Sequence, residues 1–191
     1  MKLIIVLAAT IGYAGLLIAG HQPSRPAPQG ASPQESKVQP KQVLLDTDSQ
    51  SDKYGEVAFN HENHATKNYS PDGKSVLGCT ECHHTDQPAS ALKPPLKTSE
   101  RNAVLTTALL ATPDAAPVKT CRACHLQAGD DSKPLPVVTY PDKTTPVKLN
   151  NEIAYHTNCN LCHDAAIKAR PVLKGKIAGS NDCAQCHKPL Q

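Results

Sequence analysis

The architecture of this chain depends on one short stretch, Cys79-Thr80-Glu81-Cys82-His83-His84. Its first five residues form a C-x-x-C-H motif, with two thiols three positions apart and an imidazole directly after the second. On a helical turn, residues i and i+3 lie on the same face, so both thiols can bond to one flat group. All eight Cys of the chain belong to such motifs. The other three copies are Cys121-Arg122-Ala123-Cys124-His125, Cys159-Asn160-Leu161-Cys162-His163 and Cys183-Ala184-Gln185-Cys186-His187.

The C-x-x-C-H motif is typical of covalent haem attachment. The thiols form thioethers with the two vinyl groups of one porphyrin, and the following His becomes the proximal ligand of the iron. Zinc sites with four Cys, dithiol redox motifs and disulfide frameworks also pair Cys residues, but none of them requires a His after every second Cys. The sequence therefore predicts four haem c groups. Their attachment residues are Cys79, Cys82, Cys121, Cys124, Cys159, Cys162, Cys183 and Cys186, and their proximal ligands are His83, His125, His163 and His187.

The remaining histidines match the number of sixth positions on the four irons. The chain has nine His, of which five are not proximal, and His21 is a poor ligand candidate because it lies in a Pro-rich segment. Met1 is the only Met, so His/Met ligation is excluded and we predict bis-His haems of low potential. His84 should serve a different haem from the adjacent His83, because neighbouring side chains cannot easily reach opposite faces of one ring. The predicted distal ligands are His61, His64, His84 and His156.

The composition indicates that the interior is not built from large side chains. Aromatic residues make up 3% of the 191 residues, Trp is absent, Phe59 is the only Phe, and there are 17 Pro. Such a chain has little material for an ordinary hydrophobic core. We expect a mainly irregular chain with short α-helices packed around four covalent haems, and little β structure beyond at most one short hairpin. We also expect the haem-free chain to be largely unfolded.

The chain divides into three segments by composition. Residues 1–20 contain an apolar run from Leu3 to Gly20, which indicates a signal peptide or an uncleaved membrane anchor. Residues 21–52 are rich in Pro, Gln and Ser and predict a flexible tether. Residues 53–191 form the predicted haem domain. Either reading of the N-terminus exports the protein, so we expect it in the periplasm or on the outer face of the cytoplasmic membrane, with membrane association through the N-terminus.

The net charge does not point to nucleic acid. The polypeptide carries a formal +3 at pH 7. Eight haem propionates and four ferric centres would bring the total to about −1 when oxidised and about −5 when reduced. We therefore expect redox proteins as partners and no nucleic acid, and the sequence leaves the oligomeric state open.

The haem domain resembles the class III cytochromes c, the tetrahaem cytochrome c3 group. The resemblance rests on Val57-Ala58-Phe59-Asn60-His61-Glu62-Asn63-His64, on the Cys-x-x-Cys-His-His stretch that begins at Cys79, and on Tyr155-His156, and it covers about residues 54–187. The segment 85–120 is longer than the family implies, and its apolar part, Ala103–Ala111, predicts a short helix that either covers a haem edge or serves as a docking element. The resemblance implies four ligand pairs, which are His83 with His61, His125 with His84, His163 with His64, and His187 with His156.

These observations predict an electron carrier without catalytic residues, in which closely packed haems pass electrons from a membrane or periplasmic donor to a reductase or an outer partner. Two alternatives stay open. A membrane-anchored quinol dehydrogenase or multihaem reductase subunit would need at least one iron without a strong distal ligand. A subunit of a cytochrome filament would lend a His to its neighbour.

Overall fold

The computed structural model describes residues 38–47, 53–92, 99 and 101–189. The predicted leader or anchor at 1–20 lies outside the described residues, and so does the predicted tether apart from residues 38–47. Within the described part of the chain, no helix has both the length and the apolar character needed to span a bilayer.

The first elements form a small frame ahead of the first motif. Strand β1 (Val43–Leu45) pairs antiparallel with strand β2 (Val57–Phe59). Helix α1 (His61–Thr66) follows β2 at once, because the Asn60 side chain caps it by accepting a hydrogen bond from the Asn63 N–H at 2.8 Å. This cap fixes the point at which the chain turns from strand to helix.

The middle of the chain consists of short turns of helix. Single 3-10 turns cover Cys79–Glu81, Ala89–Ala91 and Cys121–Ala123. The short helix expected within the apolar stretch 103–111 occurs as α2 (Thr107–Leu110), capped by Thr106. Strands β3 (Val137–Val138) and β4 (Val147–Lys148) form a second antiparallel pair, so the described residues hold two strand pairs where the sequence led us to expect at most one.

Helix α3 is the longest element among the described residues and runs from Asn151 to Ala169. Asn150 caps its start by accepting a hydrogen bond from the Ile153 N–H at 2.9 Å. The 19 residues contain no Gly or Pro, which explains why this helix exceeds the short helices expected from the sequence. It ends before Pro171, which begins a 3-10 turn over Pro171–Leu173, and a last short helix, α4, covers Cys183–Cys186.

The apolar core of the described residues is small. Six apolar residues are buried, and half of them are Ala. They come from several segments rather than from one packed face, and α3 contributes only Ala166. The buried apolar residues are Leu105, Ala115, Val138, Leu149, Ala166 and Ala178. Side chains of this size and number supply little hydrophobic stabilisation for a domain of this length.

Candidate functional site

Each C-x-x-C-H motif forms a helical turn that runs from its first Cys to its His. The backbone N–H of His83 donates to the carbonyl of Cys79 at 2.9 Å, and that of His187 donates to the carbonyl of Cys183 at 2.9 Å. The second motif repeats this contact at 2.9 Å, and the third lies wholly inside α3. In every copy, therefore, both thiols lie on one side of a helical turn, with the imidazole one turn on from the first thiol.

The structure brings all eight predicted histidine ligands together in pairs. Each predicted proximal His lies beside one predicted distal His, with centroid separations from 6.1 to 6.4 Å. These are the same four pairings that the family resemblance implies. The pairs are His61–His83 at 6.2 Å, His64–His163 at 6.4 Å, His84–His125 at 6.1 Å and His156–His187 at 6.1 Å.

The gap within each pair has the size that one iron with two axial imidazoles requires. A metal–imidazole nitrogen bond is about 2.0–2.1 Å, and the ring centre lies roughly 1.1 Å behind the nitrogen, so two ligands of one iron have centroids about 6.3 Å apart. All four separations lie within about 0.2 Å of the expected value, so the residues present fit four bis-His haems.

Backbone carbonyls orient three of the proximal rings. The Nδ1 atom of His125 lies 2.8 Å from the Leu149 carbonyl, and that of His163 lies 2.7 Å from the Ala178 carbonyl. His187 makes the equivalent contact with the Gly55 carbonyl at 2.9 Å. A carbonyl can only accept, so Nδ1 carries the proton and Nε2 is left with the lone pair that a metal needs. Contacts of this kind fix both the tautomer and the direction of a metal-binding His.

The two histidines of α1, which are predicted distal ligands, are held by neighbouring groups. The Nδ1 atom of His64 lies 2.8 Å from the Asn60 carbonyl, and the Phe59 ring packs against both His61 and His64, with centroids 5.9 and 4.7 Å away. Burial lowers the pKa of His61, against an opposing effect of the Pro40 carbonyl. A lowered pKa keeps this imidazole neutral, which is the form that binds a metal.

The eight cysteines are all free thiols, of which three are exposed and five are partly exposed. Cys82 and Cys121 are exposed to solvent, yet desolvation by surrounding protein raises the pKa of both thiols. Burial likewise raises the pKa of the Tyr155 phenol, which is hydrogen-bonded to the Cys121 thiol.

Cysteines from all four motifs lie close to one another at helix α3. Burial raises the pKa of Cys159 to about 11, and the nearby thiols of Cys82, Cys186 and Cys121 add to this rise. These three thiols belong to the first, fourth and second motifs. One cysteine from each motif therefore lies near the same part of α3, and the groups that the motifs hold would be close neighbours.

Short backbone segments link the four histidine pairs to one another. Adjacent residues His83 and His84 belong to different pairs, and α1 supplies His61 and His64 to two pairs. Helix α3 does the same with His156 and His163, which are seven residues and hence about 10.5 Å apart along the axis. The pairs are thus joined in one series, which runs His84–His125, His61–His83, His64–His163 and His156–His187.

Among the described residues, no group of three or more His, Cys, Asp or Glu side chains is arranged to hold a bare metal ion. His21 lies outside the described part of the chain. Comparisons with protein families, with curated proteins and with solved structures found no match for this chain.

Proposed function

We propose that this chain is a tetrahaem c-type cytochrome of the class III kind and that it acts as a low-potential electron carrier. The observation that carries the proposal is the set of four imidazole pairs, each with a gap of one iron and each next to a C-x-x-C-H turn. The C-x-x-C-H turns would hold each haem by two thioethers, and the paired imidazoles would ligate its iron. Haem bound in this way supplies reversible one-electron oxidation and reduction of iron.

The ligand geometry favours transfer over catalysis. With an imidazole on each side, an iron has no position left for a substrate, so a carrier needs no further residue and an enzyme would need one ligand fewer. The absence of any Met beyond Met1 leaves imidazole as the second ligand and keeps the potential low. The linked series of pairs supports transfer among all four sites inside one chain.

We also propose that the protein works outside the cytoplasm. Haem c is attached outside the cytoplasm, and the apolar N-terminal residues would export the chain to the periplasm or hold it at the outer face of the membrane. Its partners would be redox proteins, since the motifs and pairs account for all eight Cys and for eight of the nine His.

The test is to express the full chain in a host that matures c-type cytochromes and to measure haem content and spin state. We expect four covalent haems per chain, low-spin spectra in both oxidation states, and four one-electron steps at low potential. A variant with Cys79 and Cys82 both changed to Ala is the matched control and should carry three haems. Stoichiometric CO binding by the reduced wild-type protein, or a high-spin ferric signal, would reveal an open iron and refute the carrier function.

A further inference from the structure

The segment between the first and second motifs builds a polar cluster against the first motif. Gln87 is 1% exposed, donates from Nε2 to the His83 carbonyl at 3.0 Å, and accepts from the Leu105 N–H at 3.0 Å. Ser99 donates its hydroxyl to the Gln87 carbonyl. These bonds hold Gln87, Ser99 and Leu105 close to the backbone of His83.

A buried ion pair lies within this cluster. The Nε atom of Arg101 donates to Oδ1 of Asp86 at 2.9 Å, and its Nη2 donates to the carbonyls of Ala116 and Pro117 at 2.7 and 2.8 Å. Asp86 is 3% exposed, and the Arg101 side chain is 9% exposed. Buried pairs often add little net stability, because desolvation offsets the attraction between the charges. The position of this pair therefore calls for a reason other than stability.

Asp86 also faces the proximal imidazole of the first site. Its other oxygen, Oδ2, is 3.9 Å from Nδ1 of His83, which is beyond hydrogen-bonding range but close for a full negative charge. The other three proximal histidines have a neutral backbone carbonyl beside Nδ1. The carboxylate lies between the imidazole and the guanidinium, so at His83 the nearer negative charge outweighs the more distant positive one.

We propose that Asp86 and Arg101 are positioning residues that set the reduction potential of the first haem site, with Asp86 lowering it and Arg101 partly offsetting Asp86. This inference rests on the proposed function, because it takes His83 to be an iron ligand. Its physical basis is that a negative charge behind the proximal imidazole stabilises the ferric over the ferrous state. It also gives the segment 85–120 a role, which is to bring Arg101 to Asp86.

The test compares Asp86→Asn and Arg101→Gln in the haem-loaded protein by spectroelectrochemical titration. Asp86→Asn should raise one of the four potentials by about 59 mV, which corresponds to about a tenfold change in the equilibrium constant for one-electron reduction. Arg101→Gln should move the same step in the opposite direction. The step is assigned by the paramagnetically shifted NMR signals of ¹⁵N-labelled His83.

Opposite signs separate an electrostatic role from a structural one, since damage to the fold would shift both variants in the same direction. Arg101→Lys keeps the charge and should stay near the wild-type potential. This variant replaces Arg101→Gln in the comparison if Arg101→Gln does not fold. Asp114→Asn, which removes an exposed carboxylate from the same segment, is the matched control and should shift no step by more than a small fraction of this amount.

Two results would overturn the inference while the proposed function stands. One is a four-haem, low-spin protein in which Asp86→Asn leaves all four potentials unchanged, and the other is one in which both variants shift the same way. A chain that carries no covalent haem would instead overturn the proposed function, and this inference with it.

Discussion

Gly55→Ala should weaken the fourth site through a contact that only glycine allows. The Gly55 N–H donates to the Lys188 carbonyl at 2.8 Å, and the Gly55 carbonyl accepts from Nδ1 of His187 at 2.9 Å. A Cβ at position 55 would lie 2.9 Å from the Lys188 carbonyl oxygen, closer than such atoms approach. The backbone around residue 55 must therefore move away from residues 187 and 188, and both bonds lengthen.

The expected size of the effect follows from these contacts. Overpacking of this kind costs about 1–3 kcal/mol, and a weakened hydrogen bond costs about 1 kcal/mol, so we expect a loss of roughly 2 kcal/mol in the free energy of unfolding. For a domain of this size that lowers Tm by about 6–10 °C. An imidazole without its Nδ1 partner is a poorer electron donor, so the potential of the haem that we propose at Cys183 and Cys186 should rise.

Gly78→Ala is the matched control for this experiment. Gly78 has φ −72° and ψ 155°, which any residue adopts, and a Cβ there would meet only the rotatable hydroxyl of Thr80, at 3.3 Å. Both variants restrict the unfolded chain equally, so their difference isolates the contact at residue 55. Calorimetry and a redox titration measure the two effects. Equal Tm values and equal potentials for the two variants would refute the reasoning.

Three further predictions concern ligation, pH and the haems as core. In the haem-loaded protein, His84→Ala should open one iron only, that of the haem proposed at Cys121 and Cys124, so CO should bind at one site in four; CO binding at the haem proposed at Cys79 and Cys82 would contradict the pairing. Hydrogen bonds from Ser70 and the Lys74 backbone lower the pKa of Asp72, so its contribution to stability is present above an ordinary Asp pKa and is lost as pH falls through the lowered value. The Tm difference between wild type and Asp72→Asn should therefore be largest near pH 6 and close towards pH 2 in thermal unfolding; a constant difference would argue against the linkage. Chain produced without haem attachment should show little helical signal in far-UV circular dichroism, because the buried apolar residues are few and small; a cooperative thermal transition in that chain would contradict the haem-core reading.

Much of the candidate site can be predicted from the sequence, because the chemistry is carried by side chains with fixed spacing. The C-x-x-C-H motifs predict the attachment residues, and the count of histidines predicts the distal ligands. The separation of His83 and His84 into different pairs follows from their adjacency, and the structure has them in different pairs.

The groups that orient the ligands could not be predicted in this way. The partners of His125, His163 and His187 are backbone carbonyls 24, 15 and 132 residues away, and a carbonyl has no side-chain signature. The second strand pair is equally hidden, since two-residue strands are too short to show alternation. The Asp86–Arg101 pair joins residues 15 apart across a segment with no periodic pattern.

The linked series of histidine pairs explains how so small an apolar core can be compatible with a defined site. Each of three segments, which are residues 83–84, helix α1 and helix α3, supplies histidines to two different pairs. With iron in every pair, each segment would be tied at two points, and the four groups would cross-link the first motif to the last. Stability and electron transfer would then depend on the same bonds. A ligand lost from α1 or α3 should therefore disturb the neighbouring site in the series more than a distant one, because the shared segment is what holds both.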